Sequence, residues 1–144
     1  MGVVISSYLI AAGAAWLIAH IIKYVVASVR ARNPRQFRQF YSSGSMPSAH
    51  SATVIALLVV IGLTDGLNSS VFALAALMSA IVMYDAVMVR RSSGEQGLAL
   101  RELLKGLKSK VAPPRVAKGH TPLEVLAGAG LGFIVGVVVF ALSV

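Results

Sequence analysis

The sequence contains no cysteine and few charged residues. Without cysteine, the chain can form neither disulfide bonds nor thiolate metal sites. Only 12% of its 144 residues are charged, whereas soluble domains carry about 25%. Hydrophobic residues make up 57%, and the mean hydropathy is +0.81. This composition excludes an ordinary soluble domain and indicates a membrane protein.

Acidic residues are also scarce, at five against 13 lysines and arginines, which gives a net charge of +8. On a chain this apolar, the phosphates and anionic headgroups of lipids suit such a charge better than nucleic acid does. We therefore predict membrane lipids, and no nucleic acid, as partners. The first apolar stretch lacks a basic leader and a small-residue cleavage site, so we expect a retained helix and not a signal peptide.

Four apolar segments have the length of membrane-spanning helices, which need about 20 residues each. They cover residues 3–29, 48–63, 70–89 and 121–144. The sequence therefore predicts an all-α integral membrane bundle with about four transmembrane helices, forming a single domain over residues 1–144. Leucines at helical spacing among basic residues predict a further interfacial helix from Leu98 to Lys108, after a flexible connector at 92–97. The basic, aromatic segment 30–41 is also expected to lie in the interface.

The positive charges predict the topology. All 13 lysines and arginines fall in or beside two loops, at residues 23–38 and 90–118. Four crossings place these loops on one side, and the positive-inside rule makes that side cytoplasmic. Both ends of the chain are then expected on the opposite side.

Three glycines recur at four-residue intervals in the last apolar segment: Gly128, Gly132 and Gly136. Such a stripe allows another helix to approach closely. Packing within the bundle is the more common use of this pattern, and a homodimer through the same stripe is the alternative.

Two of the three histidines stand at the start of apolar segments, within compact polar motifs. His50 follows Pro47, Ser48 and Ala49, while His120 precedes Glu124 by four residues. On a helix that spacing places imidazole and carboxylate on one face. A carboxylate partner fixes the tautomer of an imidazole and raises its nucleophilicity. Glu124 could alternatively serve only to cap the last helix, where a carboxylate meets the positive end of the helix dipole.

The other polar residues on the basic side form an inventory suited to phosphate. Cations neutralise a phosphoryl group in its transition state, while one histidine attacks and the other protonates the leaving oxygen. The expected phosphate-binding residues are Lys23, Arg30, Ser48, Arg90, Arg91 and Lys118. Lys23 could instead extend to the headgroups. Asp85 is expected to pair with Arg90, Arg91 or Lys118, with a divalent-metal role as the alternative. Tyr84 is either an interface anchor or a phosphate donor.

These motifs resemble those of the type 2 phosphatidic acid phosphatases, which share a site with vanadium haloperoxidases. That family has the motifs K-x6-R-P, P-S-G-H and S-R-x5-H-x3-D. The chain carries Lys23 and Arg30 at the K-x6-R spacing, Pro47-Ser48-Ala49-His50, and His120 with Glu124 at the H-x3-D spacing. The Ser-Arg pair is absent, and Pro113-Pro114 occupies its place. The sequence segments 44–51, 84–96 and 119–125 resemble a divergent branch of that superfamily, which consists of small membrane proteins. The resemblance covers residues 20 to 136.

The resemblance implies that His120 is a nucleophile that becomes a phosphohistidine, that Glu124 orients it, and that His50 is the acid on the leaving group. Lys23, Arg30 and Ser48 would hold phosphate oxygens, and Arg90 or Arg91 would replace the missing arginine. The implied activity is hydrolysis of a lipid phosphomonoester or pyrophosphate, without a cofactor. A non-catalytic anionic-lipid-binding or assembly protein of the same fold is the alternative. A transporter is disfavoured, because the polar residues cluster at one end of the predicted helix bundle and not at the bilayer centre.

Overall fold

The computed structural model describes residues 6–31, 46–114, 116 and 119–143. These residues form helices and connections without any strand, and this confirms the all-α prediction. In chain order the elements are α1 (Ser7–Ala31), α2 (Ala49–Thr64), α3 (Ser70–Tyr84), a π-helical turn (Asp85–Val89), α4 (Arg90–Gly106) and α5 (Pro122–Ser143). Most of the basic segment predicted at 30–41 lies outside the described residues, as does Lys118.

Three helical stretches are long and apolar enough to cross a membrane: Ser7–Val29, Ser70–Gly106 and Pro122–Ser143. The fourth apolar helix, α2, has 16 residues and is about 24 Å long, somewhat less than the hydrocarbon core of about 30 Å. It is the central helix and packs against α5, α1 and α3. Protein therefore surrounds most of α2, so its length need not match the lipid. The predicted membrane bundle of about four crossings is confirmed.

The core of the bundle is made of small side chains. Ala11, Ala15 and Ala19 follow one another at four-residue intervals on α1 and are fully buried against α2 and α5. Hydrophobic burial does not drive helices together inside lipid, so close backbone approach and van der Waals packing must do so. Stripes of small residues permit that approach.

The glycine stripe of α5 packs against α2. A Cβ on Gly128 would overlap the carbonyl oxygen of Ser48, and one on Gly132 would overlap that of Ala52. On Gly136 it would lie 2.9 Å from the carbonyl oxygen of Ala56. All three glycines are buried in this contact. Packing within the bundle is thus the role that the structure shows, and a homodimer built on these glycines would require α2 to leave them.

The sequence predicts that the third apolar segment ends at Val89, but in the structure the helical stretch that starts with α3 continues beyond that residue. It continues through the π-helical turn into α4, and the expected flexible connector at 92–97 is helical. Side-chain pairs on successive turns support this segment: Arg91 Nε lies 3.2 Å from Glu95 Oε1, and Gln96 Nε2 donates to Ser92 Oγ at 3.3 Å. Such pairs offset the low helix propensity of serine and glycine. The amphipathic helix therefore begins at Arg90 and not near Leu98.

One face of the bundle carries the start of α1, the end of α2 and the start of α3. There the Tyr8 hydroxyl donates to Asp65 Oδ2 at 2.9 Å, and Gly66 adopts a φ of +86° that closes the turn after α2. The opposite face carries the end of α1, the start of α2, the end of α3 and the start of α5. That second face holds the predicted histidine motifs.

Candidate active site

Two stripes of small residues, on α1 and α5, end in polar side chains at this face. On α1, Lys23 follows Ala19 by one more step of four residues, and it is therefore buried, at 8% exposure. On α5, Glu124 precedes Gly128 by the same step. The backbone N–H of Ser48, at the start of α2, donates to the Glu124 carbonyl at 3.0 Å. The packing that closes the bundle thus also brings these ends together.

His120 and Glu124 form a hydrogen-bonded pair in which the imidazole is buried and the carboxylate is partly exposed. His120 Nδ1 lies 3.1 Å from Glu124 Oε2, and the imidazole is 4% exposed. The same carboxylate oxygen accepts the Thr121 N–H at 3.0 Å, and the Glu124 N–H donates to Thr121 Oγ1 at 3.3 Å. These reciprocal bonds are a capping box that starts α5, with Pro122 in its first turn. Glu124 therefore both caps the helix and holds the histidine.

The contact with Glu124 also selects the tautomer of His120. A carboxylate oxygen only accepts, so Nδ1 carries the proton and the lone pair lies on Nε2. Burial lowers the pKa of His120, and the positive charges of Lys23 and Arg90 act in the same direction, against the opposing hydrogen bond and charge of Glu124. A lowered pKa leaves the imidazole neutral near pH 7, the form in which a histidine can act as a nucleophile.

The π-helical turn anchors the segment that carries His120. Because the Arg90 N–H donates to the Asp85 carbonyl five residues back, the Ala86 carbonyl is released from the α-helical pattern. It accepts the His120 N–H at 2.9 Å instead. Gly119 passes so close to the next turn that a Cβ there would lie 2.6 Å from the Arg91 Cα. Single-turn π-helices are frequent at functional sites. Sequence reasoning missed this turn.

His50 lies at the second residue of α2 with an exposed side chain. It interacts electrostatically with Arg90, His120 and Lys23, and Lys23 interacts with Glu124. The structure thus places five of the predicted residues within one electrostatically coupled group, which we term the candidate site: Lys23, His50, Arg90, His120 and Glu124.

Lys23 has the most unusual environment of the five. It is buried, and its ammonium group forms no hydrogen bond with any residue that the structure describes. A lysine extended to the headgroups would be exposed, so the burial contradicts that alternative. A cation held in such a position is costly unless an anion approaches it, and among the described residues the Glu124 carboxylate acts on it electrostatically. The four-residue spacing from Ala11, Ala15 and Ala19 was the sequence signal for its burial.

Asp85 and the two arginines separate into different pairs. Arg90 Nε lies 2.7 Å from Asp85 Oδ2, while Arg91 is directed to Glu95 in an exposed pair. Asp85 therefore has the arginine partner predicted for it. Within the described part of the chain, no three His, Asp or Glu residues lie together as a metal site would require. Of the two arginines, Arg90 is the one in the candidate site.

The remaining predicted residues contribute less. The hydroxyl of Ser48 is fully buried and caps α2, accepting from Ser51 Oγ at 3.0 Å. A phosphate contact from Ser48 therefore stays a prediction. Tyr84 is 63% exposed, which suits an interface anchor. Arg30 belongs to α1, but its side chain lies outside the described residues, as does Lys118.

His20 is a polar neighbour that sequence reasoning left without a role. Its Nδ1 donates to the Trp16 carbonyl at 2.8 Å, and the two rings lie 4.2 Å apart between centroids. His20 also interacts electrostatically with His50. Its position three residues before Lys23, on adjacent turns of α1, was the signal that could have placed it near the site.

Comparison with known proteins places this geometry in context. The model of a family described as the Divergent PAP2 family matches residues 5–135. An uncharacterised membrane protein of Bacillus subtilis strain 168, YuiD, is 34% identical over 140 residues, which covers 87% of this chain and 88% of that protein. No solved structure matches the chain.

Proposed function

The chain belongs to the Divergent PAP2 family, and from this membership and the geometry above we propose that it is a membrane lipid phosphatase. Its substrate would be a lipid phosphomonoester or pyrophosphate, and its nucleophile would be His120. The observation that carries the proposal is the buried Lys23 side chain, whose charge acts on His120, a buried histidine with its Nδ1 held by Glu124. A dianionic phosphoryl group would pair with the Lys23 ammonium and react with Nε2 of His120.

The reaction would proceed in two displacements. His120 Nε2 attacks phosphorus as the bond to the lipid oxygen breaks, and His50 gives that oxygen its proton. Water then attacks the phosphohistidine, His50 accepts a proton from it, and inorganic phosphate leaves. Lys23 and Arg90 stabilise the charge on the phosphoryl oxygens in both transition states. The first N–H groups of α2, at Ala49 and His50, add the positive end of a helix dipole.

The phosphate would be presented from the cytoplasmic leaflet. The basic residues all lie in or beside the two loops on the site face, and the positive-inside rule assigns that face to the cytoplasm. Anionic headgroups of the same leaflet would be attracted to these loops. Site-specific labelling of single cysteines, introduced at exposed Ser93 and at Asn68 on the opposite face, tests the orientation in right-side-out vesicles.

The decisive experiment measures phosphate release by the purified protein in nanodiscs from a panel of lipid phosphates. We expect hydrolysis of at least one, inhibition by vanadate as a transition-state mimic, and an acid-labile phosphoenzyme. His120→Ala should abolish turnover, and His120→Asn should do so while retaining lipid phosphate binding. Full activity of His120→Ala would refute the histidine mechanism.

A non-catalytic role in binding anionic lipid is the second candidate. Two observations favour this role. The Ser-Arg pair of the phosphatase motif is absent before His120, and the Ser48 hydroxyl is completely buried. In a phosphatase, the arginine of that pair and Ser48 would contact the phosphate. Saturable binding of lipid phosphates with no phosphate release from any of them, and no phosphoenzyme, would support this role over catalysis.

A further inference from the structure

An apolar groove runs along the outer face of the bundle between α2 and α3. Its volume is about 320 Å³, and its walls include Val54, Leu57 and Ile61 of α2 and Leu74, Ala75 and Met78 of α3. That volume is at the lower end of the range for small-molecule sites, roughly 300–1,000 Å³. Leu74 and Met78 are largely exposed and form its outer rim.

The groove lies on the same face of α2 as His50. The three α2 residues that line it follow His50 by four, seven and eleven positions, and these intervals repeat along one face of an α-helix. With a rise of 1.5 Å per residue, the stripe extends about 16 Å from the histidine into the bundle. The groove therefore begins about one helical turn from His50, the residue of the candidate site on α2, and leads away from it toward the opposite face.

The walls of the groove offer no polar group to a ligand. Ser79 is the single hydroxyl-bearing residue among them. Its Oγ donates to the Ala75 carbonyl at 2.8 Å and lies 3.3 Å from that of Val54, so its single proton is already engaged within the bundle. The matching occupant is a hydrocarbon chain. A second copy of the protein would bury about 800 Å² on each partner, which is more than two turns of two helices provide.

We propose that this α2–α3 groove binds the hydrocarbon chain of the lipid whose phosphate occupies the candidate site. The inference rests on the proposed function for the identity of the headgroup. It defines the substrate class further, as a lipid phosphate with at least one linear chain that descends from the phosphate along α2. The groove holds the chain and so sets the direction from which the phosphorus meets His120.

The test uses a non-hydrolysable lipid phosphonate with a photoreactive diazirine in its chain, bound to the full-length protein in nanodiscs. Ala75→Phe fills the groove. Ala73→Phe places the same ring on an exposed position of α3 that does not line it, and serves as the matched control. After irradiation, labelled residues are mapped by mass spectrometry for the wild type and both variants.

We expect the label to concentrate on groove residues such as Leu57 and Met78, and to be displaced by unlabelled phosphonate. Ala75→Phe should reduce it about tenfold, a typical effect of changing the fit of an apolar pocket, while Ala73→Phe leaves it unchanged. The corresponding diazirine alcohol, which lacks the phosphonate, should label the groove no more than other lipid-facing surfaces.

Three outcomes would overturn the inference: even labelling around the lipid-facing helices, equal labelling by the alcohol, or crosslinks that join two copies of the protein. Phosphonate-dependent label in the groove, from a protein that hydrolyses no lipid phosphate, would refute the catalytic proposal and leave the groove assignment standing. The failure of one proposal is thus distinguishable from the failure of the other.

Discussion

Glu124 performs two tasks that two substitutions can separate. Its Oε2 accepts both the Thr121 N–H, which caps α5, and the His120 Nδ1–H, which orients the nucleophile. Glutamine also serves in capping boxes, so Glu124→Gln should keep the cap and lose only the charge. Thr121→Val removes the other half of the capping box, the Oγ1 that accepts the Glu124 N–H, without altering the carboxylate.

The expected magnitudes follow from these bonds. Exchanging a charge-assisted hydrogen bond for a neutral one costs about 1–2 kcal/mol, which is roughly fivefold to thirtyfold in kcat. Glu124→Gln should therefore slow turnover by that factor, far less than loss of His120, and should lower the unfolding free energy by no more than about 1–2 kcal/mol, because the same bond is present in the resting folded state. Thr121→Val should cost about 1 kcal/mol of stability with kcat nearly unchanged. Phosphate release and equilibrium unfolding in mixed micelles measure the two quantities.

The pH profile supplies a readout that a purely structural role would not change. Burial holds the pKa of His120 below its ordinary value of about 6.5, so activity should be lost only as pH falls below that value. The carboxylate of Glu124 raises this pKa, and its removal should shift the acidic limb to still lower pH. Equal losses of kcat in both variants, or an unshifted acidic limb in Glu124→Gln, would refute the orienting role.

The remaining predictions address packing, charge and the acid. Gly132→Ala should destabilise the bundle by about 1–3 kcal/mol in detergent unfolding. The control is Gly130→Ala, because a Cβ there meets nothing within 4 Å; this variant should be neutral or stabilising by up to about 1 kcal/mol. Equal effects of the two substitutions would refute the packing argument. Lys23→Met should retain or increase stability and weaken vanadate inhibition more than about tenfold, and unchanged inhibition would remove Lys23 from the site. His50→Ala should slow hydrolysis of an alkyl phosphate far more than of p-nitrophenyl phosphate; equal slowing would contradict its role as the acid. Stability should fall as pH drops below about 6.5, because unfolded His120 takes up a proton that the buried residue resists, and this loss should be smaller in the His120→Asn variant, which is the control.

Most features predicted correctly from the sequence are local ones. Hydropathy over some 20 residues identifies a membrane helix, because the bilayer requires every backbone polar group to be satisfied within the segment. The His120–Glu124 contact likewise follows from helix geometry at a spacing of four. The prediction at 92–97 was wrong because serine and glycine indicated a break, whereas pairs such as Arg91–Glu95 sustain the helix across it.

The sequence by itself determined the helical membrane class, the side on which the polar residues gather, and the pairing of imidazole with carboxylate. Only the tertiary structure decided that Arg90 and not Arg91 lies near enough to act electrostatically on the two histidines, and that the Ala86 carbonyl holds His120. The physical reason is distance along the chain. Periodicity within one helix specifies which residues share a face, but the partner of each face is chosen by packing between segments, as between Ala86 and His120, which lie 34 positions apart.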